Sequence, residues 1–273
     1  MPVALPWIAC VIAGLGYALG RSRVNRAHPG SPIPAWRLGV FLAGLLMIAL
    51  ALASPIDDLA DRLLTAHMAQ HLLLTMVAPP LLALSAPVTL VLRTASAGAR
   101  RRLMLPLLHS SPVRVLGSPY FAWPLFAAVM WFAHFSPVYN AALDSEALHV
   151  AEHAVFLFSG CLFWWPVVGG DPLPQRLGYG ARLAYLLLQM PLNAAVGLAI
   201  YFAPRILYAH YATVAHPWGI DPLTDQQVAG LVMWAAGDLI LLAAVVWVVA
   251  AWMQADARRS ARHASAGADR RTG

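Results

Sequence analysis

HMAQH at residues 67–71 and HVAEH at residues 149–153 are two copies of one five-residue pattern. Each copy lies inside a hydrophobic run long enough to cross a bilayer as a helix. The two histidines of a copy are four residues apart, so on a helix they lie on one face with Cβ atoms roughly 5–6 Å apart. Ionisable side chains at membrane depth are energetically expensive and are commonly functional. The two pairs therefore predict helical spans that carry a metal or haem site formed by His67, His71, His149 and His153.

The composition is that of an integral membrane protein. Of 273 residues, 60% are hydrophobic and only 11% are charged, and the mean hydropathy is +0.66, whereas a soluble domain is about 25% charged. The net charge of +6 comes from 18 arginines and no lysine. These arginines are spread over many loops and form no compact basic domain, so we expect no nucleic-acid partner. Cys10 and Cys161 lie in apolar runs far from any CxxC spacing, which disfavours a disulfide or a thiolate metal site.

Seven apolar segments predict an all-α integral membrane protein, a bundle of about seven transmembrane helices in the lipid bilayer. A helical span needs ~20 apolar residues, and a lipid-exposed backbone must satisfy its own hydrogen bonds. The segments are residues 4–20, 36–53, 62–84, 118–135, 147–168, 182–204 and 228–253. We therefore expect a seven-span membrane domain at residues 1–253 and a disordered basic cytoplasmic tail at residues 254–273.

The arginines also predict the orientation of these spans. Sixteen of the 18 arginines fall in segments on one side of the predicted membrane, and Arg62 and Arg205 lie on the other side. Positively charged loops stay in the cytoplasm, so the N-terminus is expected outside and the C-terminus inside. Seven of the ten histidines then cluster at or just below the outer face. One of them, His134 at the end of the fourth span, is a further candidate ligand because it lies at the same depth as the two pairs.

Two residues inside the motifs are candidates for a supporting role. Gln70 and Glu152 occupy the fourth position of the two copies and are nearly isosteric. At a copper site, a side chain in this position would orient a ligand histidine or soften the charge of the ion. We therefore expect Gln70 and Glu152 to act in equivalent ways.

Two residues of the last span are weaker candidates. Met233 lies at about the depth of the histidines, where a thioether can hold a soft metal ion transiently. Asp238 lies near the middle of the span, where a charged side chain costs about 3 kcal/mol on insertion scales. We expect Asp238 to be protonated or paired, with Asn193 or Gln189 of the sixth span as its partner.

Three kinds of chemistry suit these residues. Imidazole binds zinc, copper, iron and nickel, and four neutral histidines without a thiolate fit copper better than calcium or magnesium. A b-type haem would need one axial histidine from each helix, since two histidines one turn apart cannot take opposite faces of a porphyrin. The HxxEH pattern of residues 149–153 is also that of zinc hydrolases in which the glutamate is the general base. Copper handling, a zinc-dependent membrane hydrolase and a haem electron carrier all remain open on these grounds.

The sequence resembles a known family over roughly residues 36–253. The similar segments are HMAQH followed by LLLTMVAPPLLALSAP, HVAEH with the downstream FLFSGCLFWWPVVG, and NAAVGLAIYFAP, LYAHY and GIDPLTDQQVAGLVMW in that order. They resemble the multi-spanning cytochrome c oxidase assembly factors of the CtaG type. The resemblance implies a multi-pass protein of the bacterial plasma membrane that acts on terminal oxidase subunits at the copper step and is not an enzyme. The four paired histidines match the family's motifs, and Asp221 and Asp225 match its outer-loop acids.

Overall fold

The computed structural model describes residues 4–136, 138–143, 145–172 and 175–272 of the chain. Every regular element among these residues is helical. Three π-helical turns, at Leu73–Val77, Arg100–Met104 and Val232–Ala236, and a 3₁₀ turn at Pro217–Gly219 interrupt or join the α-helices. The α-helices are α1 (Ala4–Ala27), α2 (Ala35–Leu52), α3 (Pro55–Ala60), α4 (Leu64–Leu72), α5 (Ala78–Ser85), α6 (Pro87–Thr94), α7 (Ala97–Ala99), α8 (Leu105–Leu108), α9 (Ser111–Leu116), α10 (Pro119–Phe135), α11 (Val138–Leu143), α12 (Glu146–Val168), α13 (Tyr179–Tyr201), α14 (Ala209–Thr213), α15 (Pro222–Leu231) and α16 (Gly237–Thr272).

Six helical segments of the described chain are long and apolar enough to cross a membrane, which confirms the predicted class. The predicted span at residues 118–135 is α10, whose 17 residues correspond to about 26 Å of helix, a little less than the ~30 Å hydrocarbon core. The count of seven spans therefore stays a prediction. The six segments are Ala4–Ala27, Ala35–Ala60, Leu64–Thr94, Glu146–Val168, Tyr179–Tyr201 and Pro222–Arg262.

Helix α10 returns the chain from one end of the bundle to the other. At its start, the Ser118 hydroxyl donates to Oε1 of Gln175 at 3.0 Å, just beyond the C-terminal end of α12. At its other end, the His134 ring lies 5.5 Å from that of His71, near the start of the third long segment. The helices α4 and α12 therefore begin at the same end of the bundle and run in parallel.

A π-helical turn follows the first histidine pair, and α12 packs closely against it. The Thr75 hydroxyl donates to the His71 carbonyl at 2.6 Å, and the Trp164 indole of α12 donates to the Thr75 carbonyl at 2.9 Å. Gly160 makes the approach sterically acceptable, because a Cβ at this position would lie 2.9 Å from the Thr75 carbonyl oxygen. These contacts set the distance between the two helices that carry the histidine pairs.

The polar face of α13 packs against the last span. The Asn193 side-chain amide donates to the Met233 carbonyl and to Asp238 Oδ1, both at 3.1 Å. A Cβ on Gly197 would lie 2.6 Å from the Gly230 carbonyl oxygen, so the two backbones nearly touch. Of the two partners expected for Asp238, Asn193 is the one that bonds to it.

Helix α16 continues through residues 254–272 without a break in the backbone. The sequence predicts a disordered tail in this region. The division of the chain at residue 253 therefore stays a prediction.

Candidate metal centre

The structure brings all five candidate histidines into one cluster. His67 and His71 come from α4, His134 from α10, and His149 and His153 from α12. The ring centroids are 4.4 Å apart in the first pair and 4.3 Å apart in the second. Across helices, the centroids of His67 and His149 are 5.2 Å apart and those of His71 and His134 are 5.5 Å apart. The two short repeats of the sequence thus contribute to a single site.

Burial increases steadily across the cluster. His149 is partly exposed, and His153 retains 7% of its exposed surface. His134 retains 2%, and His67 and His71 are fully buried. Side chains with ionisable nitrogens are rarely buried to this extent without partners.

Neighbouring groups fix the tautomer of two imidazoles. The Tyr211 hydroxyl donates to the Ala60 carbonyl at 2.7 Å and lies 3.1 Å from Nδ1 of His67. Since the carbonyl can only accept, the phenol proton belongs to that bond, and His67 must donate through Nδ1. In the same way, His134 donates through Nδ1 to the Met130 carbonyl at 2.6 Å. Nε2 of both rings is therefore left with a free lone pair, as a metal ligand requires.

Several ring nitrogens of the cluster have no hydrogen-bond partner among the described residues. Leaving a buried polar atom unsatisfied typically costs about 1–3 kcal/mol, and a bound cation would satisfy several of these atoms together. The unpartnered atoms are Nε2 of His67, His134, His149 and His153, both ring nitrogens of His71, and Oε2 of Glu152. The donor set fits a metal ion that prefers nitrogen ligands.

Two sets of three ligand atoms are close enough to share one ion. His67, His149 and His153 form an outer trio, in which the ligand atoms lie within 4.8 Å of one another. His67, His71 and Glu152 form an inner trio that meets the same distance limit. His67 belongs to both trios.

Glu152 and Gln70 are not equivalent, although the sequence repeat predicts that they are. Oε2 of Glu152 lies 3.9 Å from Nε2 of His67 and belongs to the inner trio. The Gln70 amide instead donates to the Ala51 carbonyl at 2.7 Å and to Asp57 Oδ1 at 2.8 Å. Gln70 therefore connects α4 to the neighbouring helices, whereas the Glu152 carboxylate lies among the histidine nitrogens.

Three tyrosines that the sequence did not single out enclose the cluster. The Tyr139 ring lies 5.3 Å from that of His67 and 4.3 Å from that of Tyr208. The Tyr208 hydroxyl donates to the His134 backbone carbonyl at 3.2 Å. Burial raises the pKa of Tyr139, Tyr208 and Tyr211 above the ordinary range of a phenol, so all three keep their protons. Tyr208 and Tyr211 belong to the LYAHY segment, which was the only sequence signal for them.

Asp225 holds the start of the first histidine helix. Its carboxylate accepts from the backbone N–H of Leu64 at 2.6 Å and of Thr65 at 3.2 Å. These groups belong to the first turn of α4 and have no partner within that helix. Asp225 is itself buried, with 3% exposure. A residue of α15 therefore caps α4 from the side and fixes the position of His67 and His71.

The two weaker candidates are connected to α13. Met233 is buried in the main hydrophobic cluster, and its carbonyl accepts the Asn193 amide that also bonds Asp238. Neither residue belongs to the two ligand trios. Their roles at the site stay predictions.

The fold and the site together define a multi-pass helical membrane protein with a buried polyhistidine cluster at one end of its bundle. The chain belongs to the cytochrome c oxidase caa3 assembly factor family (Caa3_CtaG), whose sequence model matches residues 15–255. This confirms the resemblance drawn from the two histidine motifs and the segments that follow them.

The similar curated proteins are longer than this chain. An uncharacterized protein of Mycobacterium leprae is 32% identical over 264 residues, which cover 93% of this chain and 40% of the relative. Uncharacterized proteins of Mycobacterium bovis and Mycobacterium tuberculosis are each 32% identical over 267 residues, again 40% of their length. The chain thus spans about two-fifths of the curated relatives that it matches. No solved structure matches the chain.

Proposed function

We propose that this chain acts in the assembly of a caa3-type cytochrome c oxidase, and that its histidine cluster holds a copper ion for transfer to an oxidase subunit in the same membrane. The observation that carries the proposal is the convergence of unpartnered, buried imidazole nitrogens from three helices. The oxidase as the target of assembly is inferred from the family to which the chain belongs. The copper step is our inference from the ligands.

The ligand set favours copper as the cargo. The donors are imidazole nitrogens with one carboxylate, and divalent copper binds such sites more tightly than the other first-row ions do. The cluster also offers more donors than the three or four that an ion of this kind usually takes. A surplus of donors suits a protein that must release its ion, because one ligand can replace another while the ion stays bound.

The packing of the rings argues against a haem. A porphyrin must lie between its two axial histidines and would occupy the space of the remaining rings. Here each ring has a histidine or phenylalanine neighbour at 4.2–5.5 Å between centroids. A zinc-dependent hydrolase remains the second candidate, because Glu152 lies 3.9 Å from Nε2 of His67, where a general base would be found.

We further infer seven spans, with the N-terminus outside and the C-terminus in the cytoplasm of a bacterial plasma membrane. The parallel course of α4 and α12 requires the chain to return between them, and α10 extends from Gln175 at one end to His71 at the other. The arginine distribution supports the orientation. The histidines then lie towards the outer face, where copper sites of an oxidase would receive the ion.

Metal analysis of the full chain, purified in detergent, tests the proposal. The wild type should bind copper, and replacement of His67 and His71 by alanine should abolish most binding, because one pair supplies too few ligands. Replacing the exposed His28 and His109 by alanine is the matched control and should change nothing. Undiminished copper in the first variant would refute the shared site. A Soret band in the absorption spectrum would show that the site binds haem and would refute the copper proposal.

A further inference from the structure

A cleft of 690 Å³ leads from the surface to the histidine cluster. Residues of α1 and α2 line one side of it, and residues of α12 line the other. Its polar lining consists of three carboxylates and two histidines, and most of the remaining lining is apolar. The polar residues are Asp57, Asp61, Glu146, His149 and His153.

Two side-chain hydrogen bonds attach α1 to α2 beside the cleft. The Trp7 indole donates to the Ala53 carbonyl at 2.9 Å, and the Cys10 thiol donates to the Leu45 carbonyl at 3.5 Å. Both bonds hold the outer half of α1 against α2.

The cleft reaches only the less buried part of the cluster. His149 and His153 line it, and the unpartnered Nε2 of His153 belongs to a side chain that is 93% buried. His67, His71 and His134 do not line the cleft. They are covered by Tyr139, Tyr208, Tyr211 and Phe156, whose rings also lie outside the cleft lining. An ion that comes through the cleft therefore meets His149 and His153 first.

We propose that this cleft is the passage of the metal ion, and that the ion moves from the outer to the inner trio by ligand exchange around His67. The carboxylates of Asp57 and Asp61 attract the cation into a space with apolar walls, which strengthens their field. The ion first binds His149, His153 and His67. It then exchanges the two α12 histidines for His71 and Glu152 while His67 stays bound, and release follows the reverse order. No electron is transferred in either direction.

This inference rests on the proposed function, and two observations support the order of steps. The ligand atoms of each trio lie within 4.8 Å of one another, so a single ion can be shared within each set. The tautomer of His67 is fixed by Tyr211, which leaves a free lone pair on Nε2, the atom that lies 3.9 Å from Oε2 of Glu152.

The role of the carboxylates can be tested with a matched pair of variants at α3. Asp61, the residue that follows α3, lines the cleft, whereas Asp58 within α3 is also exposed and does not line it. The rate of ion uptake would be measured by stopped-flow quenching of tryptophan fluorescence, with Cu²⁺ and with Ag⁺ as an air-stable substitute for Cu⁺. Removing one negative charge at about 8 Å in water predicts a slowing of about twofold for Ag⁺ and about fivefold for Cu²⁺ at low salt. Asp61→Asn should show this slowing and Asp58→Asn should not, and equal rates in both would overturn the role of the carboxylates.

Cys10 permits a direct block of the passage, since it lines the cleft. In a Cys161→Ala background, alkylation of Cys10 by N-ethylmaleimide, verified by mass spectrometry, should abolish the fast phase of ion uptake. The Cys10→Ala, Cys161→Ala protein should be insensitive to the reagent. Uptake at the wild-type rate after complete alkylation would refute the passage. Failure of the wild type to bind either ion would instead refute the proposed function, and the passage with it.

The two trios predict different kinetic defects. His149→Ala should slow both uptake and release, while the inner trio still retains the ion. His71→Ala should take up the ion quickly and lose it quickly on addition of a chelator. His67→Ala should show neither fast uptake nor retention of the ion. If His149→Ala and His71→Ala showed the same defect, exchange between two trios would be wrong.

Discussion

Replacing Tyr211 by phenylalanine removes the group that sets the tautomer of His67. In the wild type, the phenol donates to the Ala60 carbonyl and accepts from Nδ1 of His67. Burial raises the pKa of Tyr211, so the hydroxyl stays protonated over the working pH range. In Tyr211→Phe, both groups lose their partner while the ring volume is retained.

The expected magnitude follows from these two bonds. Each buried polar group left unsatisfied costs about 1–3 kcal/mol, so the loss of two partners should cost the metal-free protein about 2–6 kcal/mol of stability. A loss of 1 kcal/mol lowers the thermal midpoint of a domain of this size by about 2–4 °C. His67 also becomes free to carry its proton on Nε2, and the loss of such an orienting partner typically weakens metal binding about 10–100-fold, or about 1.4–2.8 kcal/mol.

The Tyr208→Phe protein is the matched control. Tyr208 belongs to the same LYAHY segment and is equally buried, but its hydroxyl donates to the backbone carbonyl of His134 and contacts no imidazole nitrogen. Its thermal midpoint should fall by a smaller amount, and its metal affinity should stay within about threefold of the wild type. Affinity would be measured by competition with a chelator, and stability by thermal unfolding of the metal-free protein. Equal metal affinities in the two variants would refute the tautomer argument.

Three further predictions concern the same end of the bundle. Glu152→Gln should keep substantial oxidase assembly in a deletion strain, because the four paired histidines remain and the amide oxygen of glutamine can still contact the ion, whereas His153→Ala should not; loss of assembly in Glu152→Gln with full metal content would favour a hydrolase. Asp225→Ala should destabilise the protein by about 2–6 kcal/mol, because it leaves two backbone N–H groups of α4 unsatisfied. Asp221→Ala, which removes an ordinary cap of α15, should cost only about 1 kcal/mol, and thermal unfolding would compare the two. A reporter that is active only outside the cytoplasm should be active when fused after Ser145 and inactive in the C-terminal tail; the reverse result would invert the topology.

The membrane class and the family could be predicted from the sequence because both depend on local features. Long apolar runs identify helical spans without knowledge of their neighbours. A spacing of four between histidines identifies one helix face, since it depends only on the helical repeat. The sequence could also place the two pairs and His134 at a common depth, and the structure brings these five residues together.

The surroundings of the histidines could not be predicted in the same way. Gln70 and Glu152 occupy equivalent positions in the two motifs, but their neighbours differ: Gln70 bonds to residues of α2 and α3, whereas Glu152 lies beside His67 of α4. Tyr139 and Tyr211 reach the cluster from the short helices α11 and α14, outside the long apolar runs, and no periodic pattern marks them. The length of α10 depends on where its ends are capped, which hydropathy alone does not determine.

The π-helical turn at Leu73–Val77 changes the direction in which side chains point around the helix axis. The histidine pair before the turn is therefore rotated relative to the rest of its span. A π turn holds one residue more than an α turn over nearly the same rise, and each α-helical residue rotates the chain by about 100°. Deleting one residue from this turn would restore a regular α-helix and rotate His67 and His71 away from α12, with the lower half of the span still packed on α2. We therefore expect the number of residues between His71 and Pro79 to be more strictly constrained than their identity.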